Sequence, residues 1–324
     1  MAIKSSTINH QPSTISYGKQ AMLFTLVAIT ILSLFAISYG TYIAVQDRSS
    51  INSRITTLNN FVASVEQDLP RQTYISGYRT VFLFSKEILD TGTYIPDPET
   101  SLNELFFNGT LNGATQDLMD DATFSSIQSF LTSNANKINA DIQLLDPTIS
   151  ISQIDPWNLA VTLNTTLIIQ DQGDLASWNK STSITSLIPI TSFNDPIYSV
   201  NTAGRILLQI NQTPYTNFVT DSDYSNLQDH FTNSLYLAST SAPSFLMRLQ
   251  GNLSASPNGI ESLVNPQLLA NVGISAKYKS VIDYTYFSTS TPTKYTVPAV
   301  TNLILDDEDN HLTTYNISSV AISA

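Results

Sequence analysis

The feature that most constrains this chain is an uncharged, apolar run over residues 20–46. Lys19 precedes the run, Asp47 follows it, and no Asp, Glu, Lys or Arg lies between them. As an α-helix the run would span about 40 Å, whereas a bilayer core of about 30 Å needs about 20 residues. We therefore predict a transmembrane helix. The alternatives are a buried core helix and a secretory signal peptide, for which Ser38-Tyr39-Gly40 is a weak cleavage site.

The distribution of charge predicts which way the chain faces. Residues 1–19 contain Lys4, Lys19 and no acid, whereas all 26 acidic residues follow the apolar run. Because short basic flanks stay inside the cell, we predict that residues 1–19 form a cytoplasmic tail and that the C-terminal part is extracellular. The acidic excess of that part disfavours nucleic acid as a partner.

Asparagine and cysteine usage support the same orientation. The absence of cysteine excludes disulfides, thiolate nucleophiles and cysteine-ligated zinc. With the acidic composition it suggests an archaeal cell surface. The six N-x-S/T sequons all lie on the predicted outside, where they would make the protein a glycoprotein, although an Asn-, Ser- and Thr-rich chain also produces sequons by chance. They are at Asn108, Asn164, Asn179, Asn211, Asn252 and Asn316.

Two spacings in the N-terminal third suggest helix packing. Small residues repeat every four positions at Ala36, Gly40 and Ala44, which either lets membrane helices approach closely or is incidental. After the membrane run, apolar residues alternate at spacings of four and three, which is typical of a coiled-coil seam. The seam either self-associates, packs on a neighbour, or packs on the chain's own head. It comprises Ile51, Ile55, Leu58, Val62, Val65 and Leu69.

The rest of the pattern predicts an α+β fold. We expect a helical stalk over 47–70 that ends or kinks at Pro70, and a helical region over 71–139. That region would contain a helix over 72–89, with Tyr78 and Phe82 on its apolar face, and another over 120–137 that Thr123 or Asp121 could cap. A β-rich region over 140–324, with a helical insertion near 221–250, would form an antiparallel sandwich. Its strands are predicted at 149–154, 159–169, 183–190, 206–211, 279–287, 294–300 and 312–317.

No motif of a catalytic or cofactor site is present, so we predict no catalytic residue, no cofactor and no enzymatic activity. A serine hydrolase would need His230 or His311 as its base. Trp157 and Trp178 are expected to be core anchors, or else a sugar-stacking platform. Acidic residues occupy every second position at 221 and 223, and again at Asp307 and Asp309. These are weak calcium candidates, because neither set has the Gly and Glu of a calcium-binding loop, and solvated turns are favoured.

The segment in which a short basic leader meets the apolar helix resembles the N-terminus of archaeal type IV pilin-like proteins. It reads Tyr17-Gly18-Lys19-Gln20-Ala21-Met22-Leu23-Phe24. Gly18 precedes Lys19 and no Glu stands five positions into the helix, so the resemblance covers the helix but not the cleavage site. The whole chain also looks similar to single-pass archaeal surface proteins, which implies a location but no activity. That likeness is carried by Ile75-Ser76-Gly77-Tyr78-Arg79, Asp155-Pro156-Trp157 and Gly259-Ile260-Glu261-Ser262-Leu263-Val264.

These observations favour a membrane-anchored surface protein with a structural, adhesive or pilin-like role. Its partners would be the lipid bilayer and either further copies of itself or other surface proteins, reached through the stalk. A surface module that binds glycans or peptides is the alternative, and a surface hydrolase is the third hypothesis.

Overall fold

One helix, α1, runs without interruption from Ser16 to Thr91. The computed structural model describes the chain from residue 16 to 324, with side chains from residue 21 onward. It divides into two compact units at residues 60 and 61, so that α1 contributes to both. Most of the predicted tail, residues 1–15, lies outside the described residues.

The C-terminal part of α1 packs on a β-sheet through small residues. Its buried face includes Thr73, Gly77, Thr80 and Phe84, whereas Tyr78 and Phe82 are exposed. A Cβ added at Gly77 would lie 2.8 Å from a methyl carbon of the sheet residue Val161, closer than packed atoms approach. The apolar face predicted for 72–89 is therefore wrong in part, because a close helix–sheet approach selects small side chains rather than large apolar ones.

Pro70 does not end the helix. The sequence predicts an end or a kink there, but α1 continues for 21 residues to Thr91. The hydroxyl of Ser186 on the sheet donates to the Pro70 carbonyl oxygen at 2.7 Å. Contacts between the helix and the sheet on both sides of Pro70 offset the hydrogen bond that proline cannot donate.

The main sheet is an antiparallel meander of β3 (Ala140–Asp155), β4 (Asn158–Asp171) and β5 (Ser177–Pro189), in that order. Alternation places Leu159, Val161 and Leu163 of β4 on the buried face towards α1, and Thr162 and Asn164 on the outer face. The predicted strands at 149–154, 159–169 and 183–190 are confirmed within longer strands.

Two helices, α2 (Pro98–Asn108) and α3 (Phe124–Asn136), pack beside β3. In α3, Thr123 has extended backbone angles and accepts a hydrogen bond from the Ser126 amide, so Thr123 is the N-cap of the two candidates, Thr123 and Asp121. In α2, Asp97 caps the helix and Gly109 ends it in the left-handed region. The hairpin strands β1 (Thr110–Leu111) and β2 (Ala114–Thr115) lie between them in the chain.

The C-terminal half consists of short elements around a core of its own. They are α4 (Pro196–Asn201), α5 (Ser225–Thr232), β6 (Tyr236–Ala238), α6 (Phe245–Leu249), β7 (Ile260–Ser262), α7 (Pro266–Asn271), α8 (Asp283–Phe287), β8 (Lys294–Thr296), β9 (Ile304–Asp306), α9 (His311–Thr314) and β10 (Ile322–Ser323). Strands β6 and β7 pair with each other, and β8 lies between β9 and β10.

The α+β class is confirmed, but the predicted sandwich is wrong. In the described part of the chain the strands form small antiparallel sheets of two or three strands. The strand predicted at 279–287 overlaps the helix α8, that at 312–317 overlaps α9, and 206–211 makes one isolated bridge, between Gln209 and Asn194. These segments are short apolar runs in which periodicity alone does not separate a strand from a helical turn.

Candidate functional site

The N-terminal part of α1 exposes an unbroken apolar surface. Every residue from 21 to 50 is exposed, with Met22 at 76%, Phe24 at 75% and Phe35 at 70%. An 18-residue window of the helix has a mean hydropathy of 2.4, and none of it is buried. A buried core helix does not have this surface. The helix is long and apolar enough to cross a membrane, and a signal sequence would share these properties.

The three threonine hydroxyls inside this apolar run, those of Thr25, Thr30 and Thr41, are satisfied by the helix itself. Thr25 donates to the Ala21 carbonyl oxygen at 3.1 Å and Thr30 to that of Leu26 at 2.7 Å. A hydroxyl that bonds to its own helix needs no water, which makes the run compatible with lipid. Tyr39 and Tyr42 are exposed near the end of the run, a position that aromatic residues favour at membrane interfaces.

The predicted packing residues of the anchor are exposed in the single chain. Among the described residues, none covers Ala36, Gly40 or Ala44, and a Cβ added at Gly40 would meet nothing within 4 Å. Their surface is therefore free for a neighbouring helix, or for lipid.

Much of the predicted stalk seam is buried within the chain. Leu58, Val65 and Leu69 are at most 1% exposed, while Ile55 and Val62 are half-buried and Ile51 is 39% exposed. Beyond residue 61 the stripe packs on the chain's own sheet. The self-associating seam is thus wrong for Val65 and Leu69, since residues buried within one copy are not available to another.

All six sequon asparagines are exposed: Asn108, Asn164, Asn179, Asn211, Asn252 and Asn316. Asn164 and Asn179 lie on the outer face of the main sheet. The Asn252 side chain accepts a hydrogen bond from the Ser254 amide, and that of Asn316 accepts one from the Phe218 amide. Each site therefore has the exposure that a surface glycan requires.

The two tryptophans do not form one platform. Both are half-buried; Trp157 lies in the turn before β4, and Trp178 pairs with Ile169 near the other end of that strand. Eleven residues of strand separate these ends, which is roughly 35 Å. A cluster of aromatic residues lies on α1 instead, where the exposed Tyr78 and Phe82 line a cleft of about 260 Å³ with Phe193.

A cluster of charged side chains around Arg248 is fully buried. Its Nη1 donates to Asp195 at 2.6 Å and to Asp283 at 2.7 Å, and its Nη2 donates to the Ile260 carbonyl oxygen. Burial alone would lower the pKa of Arg248, but the two carboxylates outweigh it and raise the pKa. Burial raises the pKa of Asp283 to about 6 against the opposing effect of Arg248. The Tyr236 hydroxyl donates to Asp195 at 2.7 Å.

A second buried cluster contains His311, whose ring forms hydrogen bonds to a carboxylate and to a hydroxyl. Its Nδ1 lies 2.5 Å from Asp306 and its Nε2 lies 2.9 Å from the Tyr284 hydroxyl. Burial lowers the pKa of His311, but the bond to Asp306 and the charge of Glu261 outweigh it and raise the pKa. Burial also raises the pKa of the Tyr284 hydroxyl, which makes it a poor nucleophile.

His230 has the opposite environment. It is fully buried, and neither ring nitrogen has a hydrogen-bond partner among the residues that the structure describes. Its ring packs against Phe218 and Tyr315 at centroid distances of 4.9 and 5.6 Å. Burial lowers its pKa to about 3, so the ring is neutral and far from the pKa of a general base that works near neutral pH.

The acidic turns contain no assembled metal site. Asp307 accepts from the Tyr295 hydroxyl at 3.1 Å, Asp309 lies 3.4 Å from that of Tyr284, and Asp223 accepts from the Ser225 amide at 2.9 Å. Asp221 and Asp223 are exposed. Within residues 16–324 no group of three or more His, Cys, Asp or Glu is placed to hold a metal ion.

Sequence reasoning named His311 but missed the two buried clusters. Arg248, Asp195 and Asp283 are up to 88 positions apart, and no spacing along the chain indicates that they meet. No protein-family model matches the chain, and neither a curated protein nor a solved structure is similar to it. The resemblance to pilin-like proteins therefore stays a prediction.

Proposed function

We propose that this chain is a single-pass membrane protein whose residues 1–19 lie in the cytoplasm and whose C-terminal head stands outside the cell, with a structural or assembly role. The observation that carries the proposal is the fully exposed apolar helix surface over residues 21–45. At about 25 cal/mol per Å², an apolar surface of this length is strongly unfavourable in water and needs lipid or other helices.

Two observations support an assembly role over catalysis. The charged groups of the Arg248 and His311 clusters are buried and are hydrogen-bonded mainly to one another. The six exposed sequons favour a glycosylated exterior. A glycan-binding role has weaker support, because Trp157 and Trp178 lie at opposite ends of the sheet.

The absence of cysteine makes the orientation directly testable. Ser290 is exposed in the head, and Ser6 lies in the predicted tail. On intact cells, a membrane-impermeant maleimide should label the Ser290→Cys variant and leave the Ser6→Cys variant unlabelled until the cells are permeabilised. The reverse pattern would overturn the orientation. Release of the protein from membranes by alkaline carbonate would overturn the anchor.

A further inference from the structure

The two edges of the main sheet differ in whether their outward backbone groups are covered. In the order β3-β4-β5, both β3 and β5 are edge strands, and each presents one row of backbone donors and acceptors away from β4. Proteins normally obstruct such rows, because an open edge pairs with strands of other chains.

The β3 edge is capped by side-chain amides. On α3, Gln128 donates through Nε2 to the Ile142 carbonyl oxygen and accepts through Oε1 from the Leu144 amide, both at 3.0 Å. On α2, Asn103 donates to the Ile149 carbonyl oxygen at 3.3 Å. The Gln128 amide makes the pair of bonds that an incoming strand would make.

An irregularity obstructs β3 further. Its register with β4 shifts between Leu145 and Thr148. Asp146 there has a positive φ of 49°, and Pro147 has no amide hydrogen to donate. A bulge and a proline interrupt any continuous ladder, so this edge is closed to a further strand.

The β5 edge has no comparable obstruction. Its 13 residues pair with β4 in unbroken register, from Ser177 opposite Gln170 to Pro189 opposite Asn158. Within residues 16–324, the backbone of β5 makes no backbone hydrogen bond to any element other than β4. The only charged side chain on β5 is Lys180, which is held 2.6 Å from Glu66 on α1.

The charge around this edge suits self-association. The chain carries a net charge of −12, so two copies repel each other over most of their surface. The stretch from 175 to 194, which contains all of β5, has no acidic residue. Two β5 strands therefore meet without the repulsion that acids would cause there.

We propose that β5 pairs antiparallel with β5 of a second copy, with Ser183 on the twofold axis, to form a continuous six-stranded sheet. A second copy offers an uncommitted strand of matching length, and a twofold interface is self-complementary. Antiparallel pairing places Lys180 opposite Ser186 of the other copy, whereas parallel pairing in register would place two Lys180 side chains together. The proposal goes beyond the proposed function and does not depend on the membrane anchor, because the pairing strands lie in the head.

Single cysteines in the full-length chain test the pairing, since no native thiol interferes. Ser183, Thr185 and Leu187 are all exposed on the outer face of β5. Antiparallel pairing about Ser183 puts the Ser183→Cys pair face to face, but separates the Thr185→Cys pair by about 13 Å and the Leu187→Cys pair by about 26 Å along the strands. A disulfide requires Cα atoms within about 7 Å.

Oxidation of native membranes should give several-fold more disulfide-linked dimer for Ser183→Cys than for Thr185→Cys or Leu187→Cys. Ser150→Cys is the matched control, because Ser150 lies on the same outer face but on β3. Equal yields at all three β5 positions would overturn the antiparallel register, and yields no higher than that of Ser150→Cys would overturn the β5 interface.

Carbonate extraction of the same samples separates this proposal from the anchor. A protein that stays in the membrane but does not cross-link overturns only the β5 interface. A cross-linked protein in the soluble fraction overturns only the membrane anchor.

Discussion

Arg248 and its partners show why buried charge in this protein has a structural role. The guanidinium and the carboxylates of Asp195 and Asp283 are all fully buried, within hydrogen-bond distance of one another. Removing one partner of such a group typically costs about 3–5 kcal/mol, because the remaining charge is left unpaired in a medium of low polarity. The cluster joins α4, α6 and α8, so it fixes the relative positions of three short helices.

His230 gives a testable pH dependence. Its pKa falls from 6.5 in the unfolded chain to about 3 in the folded protein, so only the unfolded state binds the proton between these values. The free energy of unfolding is therefore undiminished above pH 6.5 and falls as pH drops towards 3, by about 1.4 kcal/mol per pH unit. Between pH 8 and pH 5 we expect the wild type to lose about 2 kcal/mol more than His230→Phe, measured by urea denaturation in detergent.

A second variant separates the proton from the packing. His230→Gln does not titrate but keeps polar atoms in a site that gives the histidine no partner. In both variants the free energy of unfolding should depend less on pH than it does in the wild type. Only His230→Phe should also raise the free energy of unfolding at pH 8. An unchanged profile in both variants would contradict a neutral, buried ring.

The two head histidines look alike in the sequence but differ in the structure. Neither has a motif around it, so sequence reasoning could name both His230 and His311 only as possible bases. His311 is surrounded by Asp306, Glu261 and the Tyr284 hydroxyl, and its raised pKa stabilises the fold at low pH and loses that effect as pH rises. The difference arises from residues brought together by folding.

At the scale of elements, the fit of α1 on the sheet depends on Gly77. A methyl group there would lie 2.8 Å from Val161 and near Ile188. We expect Gly77→Ala to lower the free energy of unfolding by about 1–3 kcal/mol through overpacking, even though alanine favours a helix by about 1 kcal/mol. Tryptophan fluorescence during urea denaturation reports this directly, since Trp157 and Trp178 both lie in the head.

Gly40→Ala is the matched control for that substitution. It also replaces a glycine in α1, but its new methyl group would meet nothing within 4 Å. We expect no loss of stability in the head from this variant. If Gly77→Ala behaved like Gly40→Ala, the close approach of α1 to the sheet would be wrong.

The same contact shows how far the elements could be predicted. Long, strongly patterned segments were found correctly: the apolar helix, α3 with its Thr123 cap, and the strands of the main sheet. The buried face of α1 was misassigned because hydrophobicity placed Tyr78 and Phe82 inside, whereas steric fit placed Gly77 and Thr80 there. In the C-terminal half, elements of three to six residues carry too little periodicity to distinguish strand from helix.

At the scale of the whole molecule, glycosylation and assembly would use the same surface. Asn179 lies on the outer face of β5, four residues from Ser183, and is exposed. In the antiparallel register its side chain would lie beside Leu187 of the second copy. A bulky glycan at this sequon would stand next to the pairing edge and hinder the approach of another strand, so occupancy at Asn179 would limit assembly.

Asn179→Gln tests this coupling in the Ser183→Cys background. Where intact mass shows that Asn179 is glycosylated, removing the sequon should lower the mass by one glycan and raise the yield of disulfide-linked dimer. Asn252→Gln is the control, since Asn252 is an exposed sequon in the loop after α6, outside the main sheet, and its loss should lower the mass without changing the yield. An equal dimer yield with and without the Asn179 glycan would show that the glycan does not control access to the β5 edge.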